Sequence, residues 1–469
     1  ESRIMPDSPV PATRIHALLF IAVVTMAMGQ TLVFALLPLI GREVGLAELQ
    51  IGIIITASSA VYALATRVWG RRSDRLGRRR VIVIGLAGYT IGTLVFTSLF
   101  WLGFEMILRG LLLWGALIVA RCLQSSVMAG TMPASSAYIS DITDADSRTA
   151  AIARIGAANS TGTILGPALG GLLAGISLLA PLYFAAGMTF ISLLLILLLL
   201  PESPGPKGRG GHAVAGRLHY GDHRYRHYLL IATVMLTAFS LVQQTLGFYF
   251  QDALQLSSQQ AARKVGFALM SAAFMSLIAQ GLLVQKLKWP AWRLIQGGLL
   301  ALLAGSAALA IGSSAIWLFA GVGLCGLGIG LSYPGCVAAA TLTVTGEEQG
   351  GLAGLTTSLP AIGSIIGPVL GTGLYEASPQ WPYVCNLLIL PPYKLSLRPT
   401  PIRTGLGQVL ADKAFCRLVL ILSGYPETHY ATTLLRQGAS GYLNKECDPE
   451  EIVKAIRTVA RGRKYITPA

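Results

Sequence analysis

The chain has 469 residues, is 53% hydrophobic and only 12% charged, and carries a formal net charge of +15. Charge at half the usual share of about 25% cannot cover the surface of a soluble domain with one buried core, which excludes a soluble enzyme and implies a membrane protein. The basic excess lacks interleaved aromatics where it is densest, which excludes a nucleic-acid-binding face.

Long uncharged runs lie at roughly 17–40, 50–66, 81–104, 110–140, 155–173, 179–200, 228–251, 265–285, 294–312, 315–345 and 352–375. Most reach the ~20 helical residues that cross ~30 Å of hydrocarbon, so eleven helical spans are expected. They are too long and too uniformly apolar for barrel strands. The first run is too long, and followed by too many others, to be a cleaved signal peptide. Glu1 stands where a Met would start translation, so the start is expected at Met5 or upstream. The six cysteines, Cys122, Cys325, Cys336, Cys385, Cys416 and Cys447, show no metal-type spacing and read as packing residues.

Between the second and third runs stands GRRSDRLGRRR, residues 70–80, with six arginines and one aspartate. The loops at 67–80, 201–227 and 286–293 hold seven, five and three Lys or Arg, against few in the alternate loops. Positive loops stay cytoplasmic during insertion, so this asymmetry predicts a cytoplasmic N-terminus and a cytoplasmic 70–80 segment. Residues 201–227, rich in Pro, Gly and charge, read as a linker between two membrane halves. His219, His223 and His227 would stack on one face of a helix as a metal tract. Gly221 argues against that helix, so a solvated loop and no metal site are expected.

GTILGPALGGLL at 162–173 recurs as GSIIGPVLGTGL at 363–374, with seven of twelve positions identical at an offset of 201. A repeat at about half the membrane region suggests two related bundles about an axis normal to the membrane. Gly162, Gly166 and Gly170 fall on one helical face where another helix can approach closely, with Gly171 beside them. Pro167 removes a backbone hydrogen bond and bends that helix. Gly363, Gly367, Pro368 and Gly371 are the second copy. These residues are read either as a packing seam or as an element of transport coupling.

Arg121 is the one charge well inside an apolar run. A guanidinium there costs at least a few kcal/mol unless it faces a polar cavity or a partner, which makes it a functional candidate. A structural arginine bonded to backbone carbonyls is the other reading. No Asp, Glu, Lys or His lies in the central part of any run. Candidates to face a cavity are Gln30, Gln124, Gln243, Gln244 and Tyr333. Helix–helix hydrogen bonds are the alternative role for each.

GRRSDRLGRRR resembles the G-x-x-x-D-R-x-G-R-R signature of the major facilitator superfamily, carried by Gly70, Asp74, Arg75, Gly77, Arg78 and Arg79. GTILGPALGG is similar to the G-x-x-x-G-P-x-x-G-G signature of that family's drug:proton antiporter branch. The resemblance covers residues 15 to about 390. It implies an all-α membrane fold of two pseudo-symmetric six-helix bundles and a monomeric exporter of small molecules through the bacterial inner membrane. It also implies that Asp74 sits at the N-terminal end of the eleventh span, where the helix dipole favours an anion. Neighbouring arginines would tie it to carboxylates such as Asp141. Arg121 and Gln124 resemble the fourth-helix R-x-x-Q-G signature, implicated in proton transfer, with Ser125 in place of the Gly. No catalytic residue and no bound cofactor are implied; a proton gradient is the candidate energy source. With a lone interior arginine and no interior acid, the expected substrates are neutral or anionic amphiphiles. The alternatives are an uncoupled facilitator and an inactive product of a frameshifted fusion.

After 375 the text changes. PYVCNLLIL, 382–390, gives nine residues, a rise of about 14 Å, so the twelfth helix is expected to be truncated. Residues 417–468 read as strand, helix, strand, helix and resemble the second half of a response-regulator receiver domain. In that resemblance Ser423 matches the hydroxyl after the fourth strand, Tyr442 the switch aromatic and Lys445 the phosphate-pairing lysine. No aspartate ends a hydrophobic strand just upstream of 417, which argues against a signalling protein anchored to the membrane. The expected organisation is therefore a bundle at 1–200, a basic linker at 201–227, a second bundle at 228–392, a junction at 393–416 and a receiver-like α/β fragment at 417–469.

Overall fold

A computed structural model describes residues 12–203, 218–286, 289–312, 314–345 and 348–390, and then 420–423, 441–444, 458 and 465–466. The body is helical: α1 (Ala12–Glu43), α2 (Glu48–Leu76), α3 (Arg78–Phe104), α4 (Gly110–Met128), α5 (Thr131–Ile142), α6 (Ala145–Ala174) and α7 (Ala180–Leu199) form its first half. Its second half holds α8 (Arg226–Leu254), α9 (Ser258–Ile278) with a π-helical continuation to Lys286, α10 (Ala291–Ile311), α11 (Ala315–Thr341), α12 (Gln349–Ala377) and α13 (Trp381–Ile389).

Among the described residues ten of these segments are long and apolar enough to cross a membrane, with α4 and α5 counted as one. The one remaining expected span, the run at 155–173, lies in α6, a 30-residue helix that falls short in apolarity. Asn159, Ser160, Thr161 and Thr163 take the place of aliphatic side chains there, and three of their hydroxyls bond back to carbonyls of their own helix. The helix lies between α1 and α9.

Local chemistry sets the joints. Gly77 separates α2 from α3 with φ +93°, a conformation that side chains with a Cβ rarely adopt. The run at 110–140 is broken at Ala129–Gly130. There the amide of Gly130 turns to Val127 O, and Ser126 O accepts the Trp69 indole N–H at 2.7 Å instead. Ser257 and Gln260 cap α9 reciprocally.

The two halves repeat one packing plan. In the first, α7 is tied to α1 through Ser192 and Thr25 (2.9 Å) and to α3 through Thr189 and Thr90 (3.2 Å). In the second, Asn386 of α13 donates to Ala238 O on α8 (3.2 Å) and to Ser306 on α10 (3.4 Å). The nine residues of α13 thus occupy the place of α7 over part of its length. A core of Leu19, Val81, Leu86, Tyr138 and Ile196 joins α1, α3, α5 and α7.

Separately, Leu420–Ser423, Gly441–Asn444 and Tyr465–Ile466 form a parallel three-stranded sheet, β1-β2-β3 in order. The third strand is additional to the two read from the sequence. Ser423 ends β1 and Tyr442 lies in β2, while Lys445 lies outside the described residues.

Candidate functional site

Because consecutive long helices run in alternate directions, one end of the body collects residues 70–80, the start of α8 and the start of α12. This is the arginine end. The distal end collects the ends of α1, α8 and α12 and the starts of α2 and α9.

At the arginine end Arg78, the first residue of α3, is buried and acts as a hub. Its guanidinium reaches Asp74 Oδ1 at 2.6 Å, Asp141 Oδ2 at 3.2 Å and Ser73 Oγ at 2.5 Å. One arginine thereby ties the last turn of α2 to the last turn of α5. A buried cation requires such partners, because desolvation is costly without them. Asp141 also accepts from Ser203 at 3.4 Å. Arg79 donates to Leu197 O at 2.5 Å, and its amide donates to Glu202 at 3.2 Å. A Cβ on Gly77 would run into the Glu202 carboxylate. Arg75 is exposed, and nothing lies within 4 Å of a Cβ built on Gly70. The sequence reading set Asp74 against the start of α12; the ion pair formed here is to Arg78, inside the first half.

Arg121 is 1% exposed, and its Nη1 donates to Gln124 Oε1 at 2.5 Å. Gln124 in turn donates to Thr93 Oγ1 at 2.7 Å and to Tyr89 O at 3.2 Å on α3. The rings of Phe34 and Phe96 lie 5.6 and 5.7 Å from the guanidinium carbon, an attractive placement for a cation over aromatic faces. The Arg121 Nε is buried without a hydrogen-bond partner among the described residues.

Phe34 also lines a cavity of about 160 Å³ between the halves. Gln243, Gln244, Phe239 and Ser240 of α8 and Ser364 of α12 complete much of its wall, with Pro368. The lining holds no charged side chain. Gln244 is 2% exposed and its Oε1 has no partner among the described residues. Gln30 on α1 is half-buried and is not among the lining residues. Tyr333 donates to Thr356 O at 3.2 Å, joining α11 to α12.

The Gly-Pro helices carry two different contacts each. Gly162, Gly166 and Gly170 face α1, and Gly363, Gly367 and Gly371 face α8, each within its own half. Gly171 faces α9 across the boundary between halves, and a methyl group on Gly266 would stand 2.5 Å from Pro167 O. Across the other boundary a methyl group on Gly52 would stand 2.9 Å from Pro368 O. Each proline carbonyl therefore abuts a glycine of the opposite half, in a close backbone approach that favours Cα–H···O contacts. Thr56 adds a 2.8 Å hydrogen bond to Ile365 O.

The distal end also holds a polar latch that the sequence reading missed. Arg42 at the end of α1 donates to Glu48 at 2.5 Å and to both oxygens of Asp252 on α8, and Tyr375 of α12 donates to Asp252 at 2.7 Å. Glu43 accepts from Ser258, and Glu376 accepts the amide of Leu49 at 2.9 Å. The available signal was two opposite charges at the ends of the first helix of each half. Among the described residues no His, Cys, Asp and Glu cluster could hold a metal.

Comparisons with known proteins identify the chain's relatives. Residues 19–368 match the family model of the Major Facilitator Superfamily. The chain is 45% identical over 149 residues to the multidrug resistance protein MdtH of Aeromonas salmonicida, covering 29% of this chain and 38% of that relative's length. Multidrug resistance protein 2 of Bacillus subtilis is 27% identical over 373 residues, covering 76% of this chain and 88% of that one. Among solved structures, a bacterial homologue of the human lysosomal transporter Spinster, inward-facing and unoccupied, superposes with a TM-score of 0.61 at 19% identity, over 80% of this chain and 88% of that one. The chain is a multi-pass membrane protein and belongs to the Major Facilitator Superfamily.

Proposed function

We propose that the chain is a secondary active transporter that exports small amphiphilic compounds by alternating access, driven by a proton gradient. The observation that carries this reading is the neutral cavity bounded by α1, α2, α8 and α12, closed on one side by contacts between halves at the distal end. The identity to proteins named for multidrug resistance supports export as the direction. With the arginine end in the cytoplasm, as the charge asymmetry argues, this arrangement is the inward-facing one.

In this reading the two boundaries are zipped at the distal end by the Gly171–Gly266 and Gly52–Pro368 approaches and by the latch of Arg42 with Asp252. The Arg78 hub with Asp74 and Asp141 braces the arginine end of the first half. When that end closes, Asp74 comes to the start of α12. Arg121 and Gln124 form the buried polar centre, with Phe34 between them and the cavity. Phe34, Phe239, Gln243 and Gln244 select aromatic compounds that are neutral or anionic, since no wall carboxylate would hold an organic cation. Residues 417–469 take no part in transport.

Accumulation of a neutral lipophilic dye tests the reading. Cells making the full chain should retain less dye than cells making Arg121→Ala, and a protonophore should abolish the difference. Equal retention in both, with both proteins present in the membrane, overturns it.

A further inference from the structure

At the arginine end two grooves flank the first turns of α1 and meet at Ala17 and Ile21. One, of about 380 Å³, runs toward α6 and is lined also by His16, Phe20, Arg154 and Ile155. The other, of about 230 Å³, runs toward α7 and is lined also by Arg14, Leu18 and Leu199. Apart from the two arginines and His16 the walls are apolar, and among the described residues neither groove contains a carboxylate. Much of that apolar surface is open, with Phe20 38%, Ile21 40% and Leu199 51% exposed.

Some arginines at this end are held by partners within the protein. Arg78 is held by Asp74 and Asp141, and Arg79 by Leu197 O. Arg14 and Arg154 are exposed and form no salt bridge among the described residues. Two guanidiniums without a salt bridge among the described residues, above a forked apolar surface at a helix end near the membrane boundary, complement a ligand with one anionic head and two hydrocarbon tails. A soluble phosphate would leave the forked surface bare. A zwitterionic lipid would bring an ammonium group that the arginines repel.

We propose that this is a binding site for one anionic phospholipid, its phosphate between Arg14 and Arg154 and one acyl chain along each groove. Basic pockets between helices at a membrane boundary are a known means of holding such headgroups. The proposal needs only the membrane placement of the chain and is independent of what it transports.

The test uses the full chain in detergent micelles, titrated with spin-labelled phosphatidylglycerol, spin-labelled phosphatidylcholine or inorganic phosphate as competitor. Phosphatidylglycerol should bind in preference to phosphatidylcholine, and Arg14→Gln and Arg154→Gln should each weaken it about fivefold. Arg14→Lys and Arg154→Lys should retain binding, which separates lost charge from lost folding. Ala17→Trp, which fills the junction of the grooves and leaves the charge intact, should abolish it. Equal binding of the two lipids, full displacement by inorganic phosphate at constant ionic strength, or unaltered binding by Ala17→Trp would each overturn the site.

Discussion

Arg42 grips Asp252 with both terminal nitrogens, Nη1 to Oδ1 at 2.7 Å and Nη2 to Oδ2 at 3.0 Å, across 210 residues of sequence. The fork-to-fork geometry is the strongest form of such a pair, and it joins the first helix of one half to the first helix of the other. Tyr375 reinforces the same carboxylate from α12. Both partners are about a third exposed, so solvent screening reduces the pair to about 1 kcal/mol.

Asp252→Asn removes the charge and keeps the shape. The expected outcome is a modest loss of thermal stability, about 1 kcal/mol, with a larger change in conformation. A single cysteine at Ser364, in the cavity, should be labelled faster from the distal side in Asp252→Asn than in its parent. An unchanged labelling rate would show that the pair does not hold that end shut.

Gly266→Val places a branched side chain where Pro167 O already stands 2.5 Å from an added methyl. The backbones of α6 and α9 cannot both keep their places, and contacts within each half are unaffected. Transport should fall at least tenfold, on the order of 1.4 kcal/mol or more against closure, while each half keeps its fold by circular dichroism. Gly70→Ala is the contrast. A Cβ built there meets nothing within 4 Å, and a helical Gly→Ala change with such space stabilises by up to about 1 kcal/mol. If closure of the arginine end brings a partner to Gly70, that variant will lose transport without losing stability.

Arg121 and Gln124 should behave as one unit. Arg121→Ala leaves the Gln124 acceptor unsatisfied, and Gln124→Ala leaves a buried guanidinium with less compensation. Each single change is expected to cost about 1–3 kcal/mol. A double-mutant cycle read by thermal unfolding should give a coupling of about 1 kcal/mol or more. Additive losses would mean that the hydrogen bond contributes little.

Asp222, in the segment before α8, is held below its usual 3.8 by hydrogen bonds from the Arg224 side chain and amide. Arg224 also reaches Glu348 at 2.9 Å. A depressed carboxylate contributes stability above its unfolded value and loses it as pH falls through the lower folded value. Asp222→Asn should therefore lower the unfolding temperature slightly at pH 7, with the gap to the parent closing only below pH 3.8. A gap that persists unchanged into strong acid would assign the effect to something other than this charge.

The sequence by itself determined the membrane class, the ends of most helices, the internal repeat and the glycine faces, because each follows from a local period or a local composition. Polar residues in 155–173 still let α6 be read as a span, since the hydroxyls of Ser160, Thr161 and Thr163 bond back to carbonyls of their own helix. The break at Ala129–Gly130 was not legible, because it depends on Trp69 from another helix taking the freed Ser126 carbonyl. Only the tertiary structure decided which helix each glycine meets, that Phe34 links Arg121 to the cavity, and that Asp252 accepts from both Arg42 and Tyr375. Those are distances between residues far apart in the chain, and no periodicity along one helix carries information about the rotation and tilt at which two helices meet.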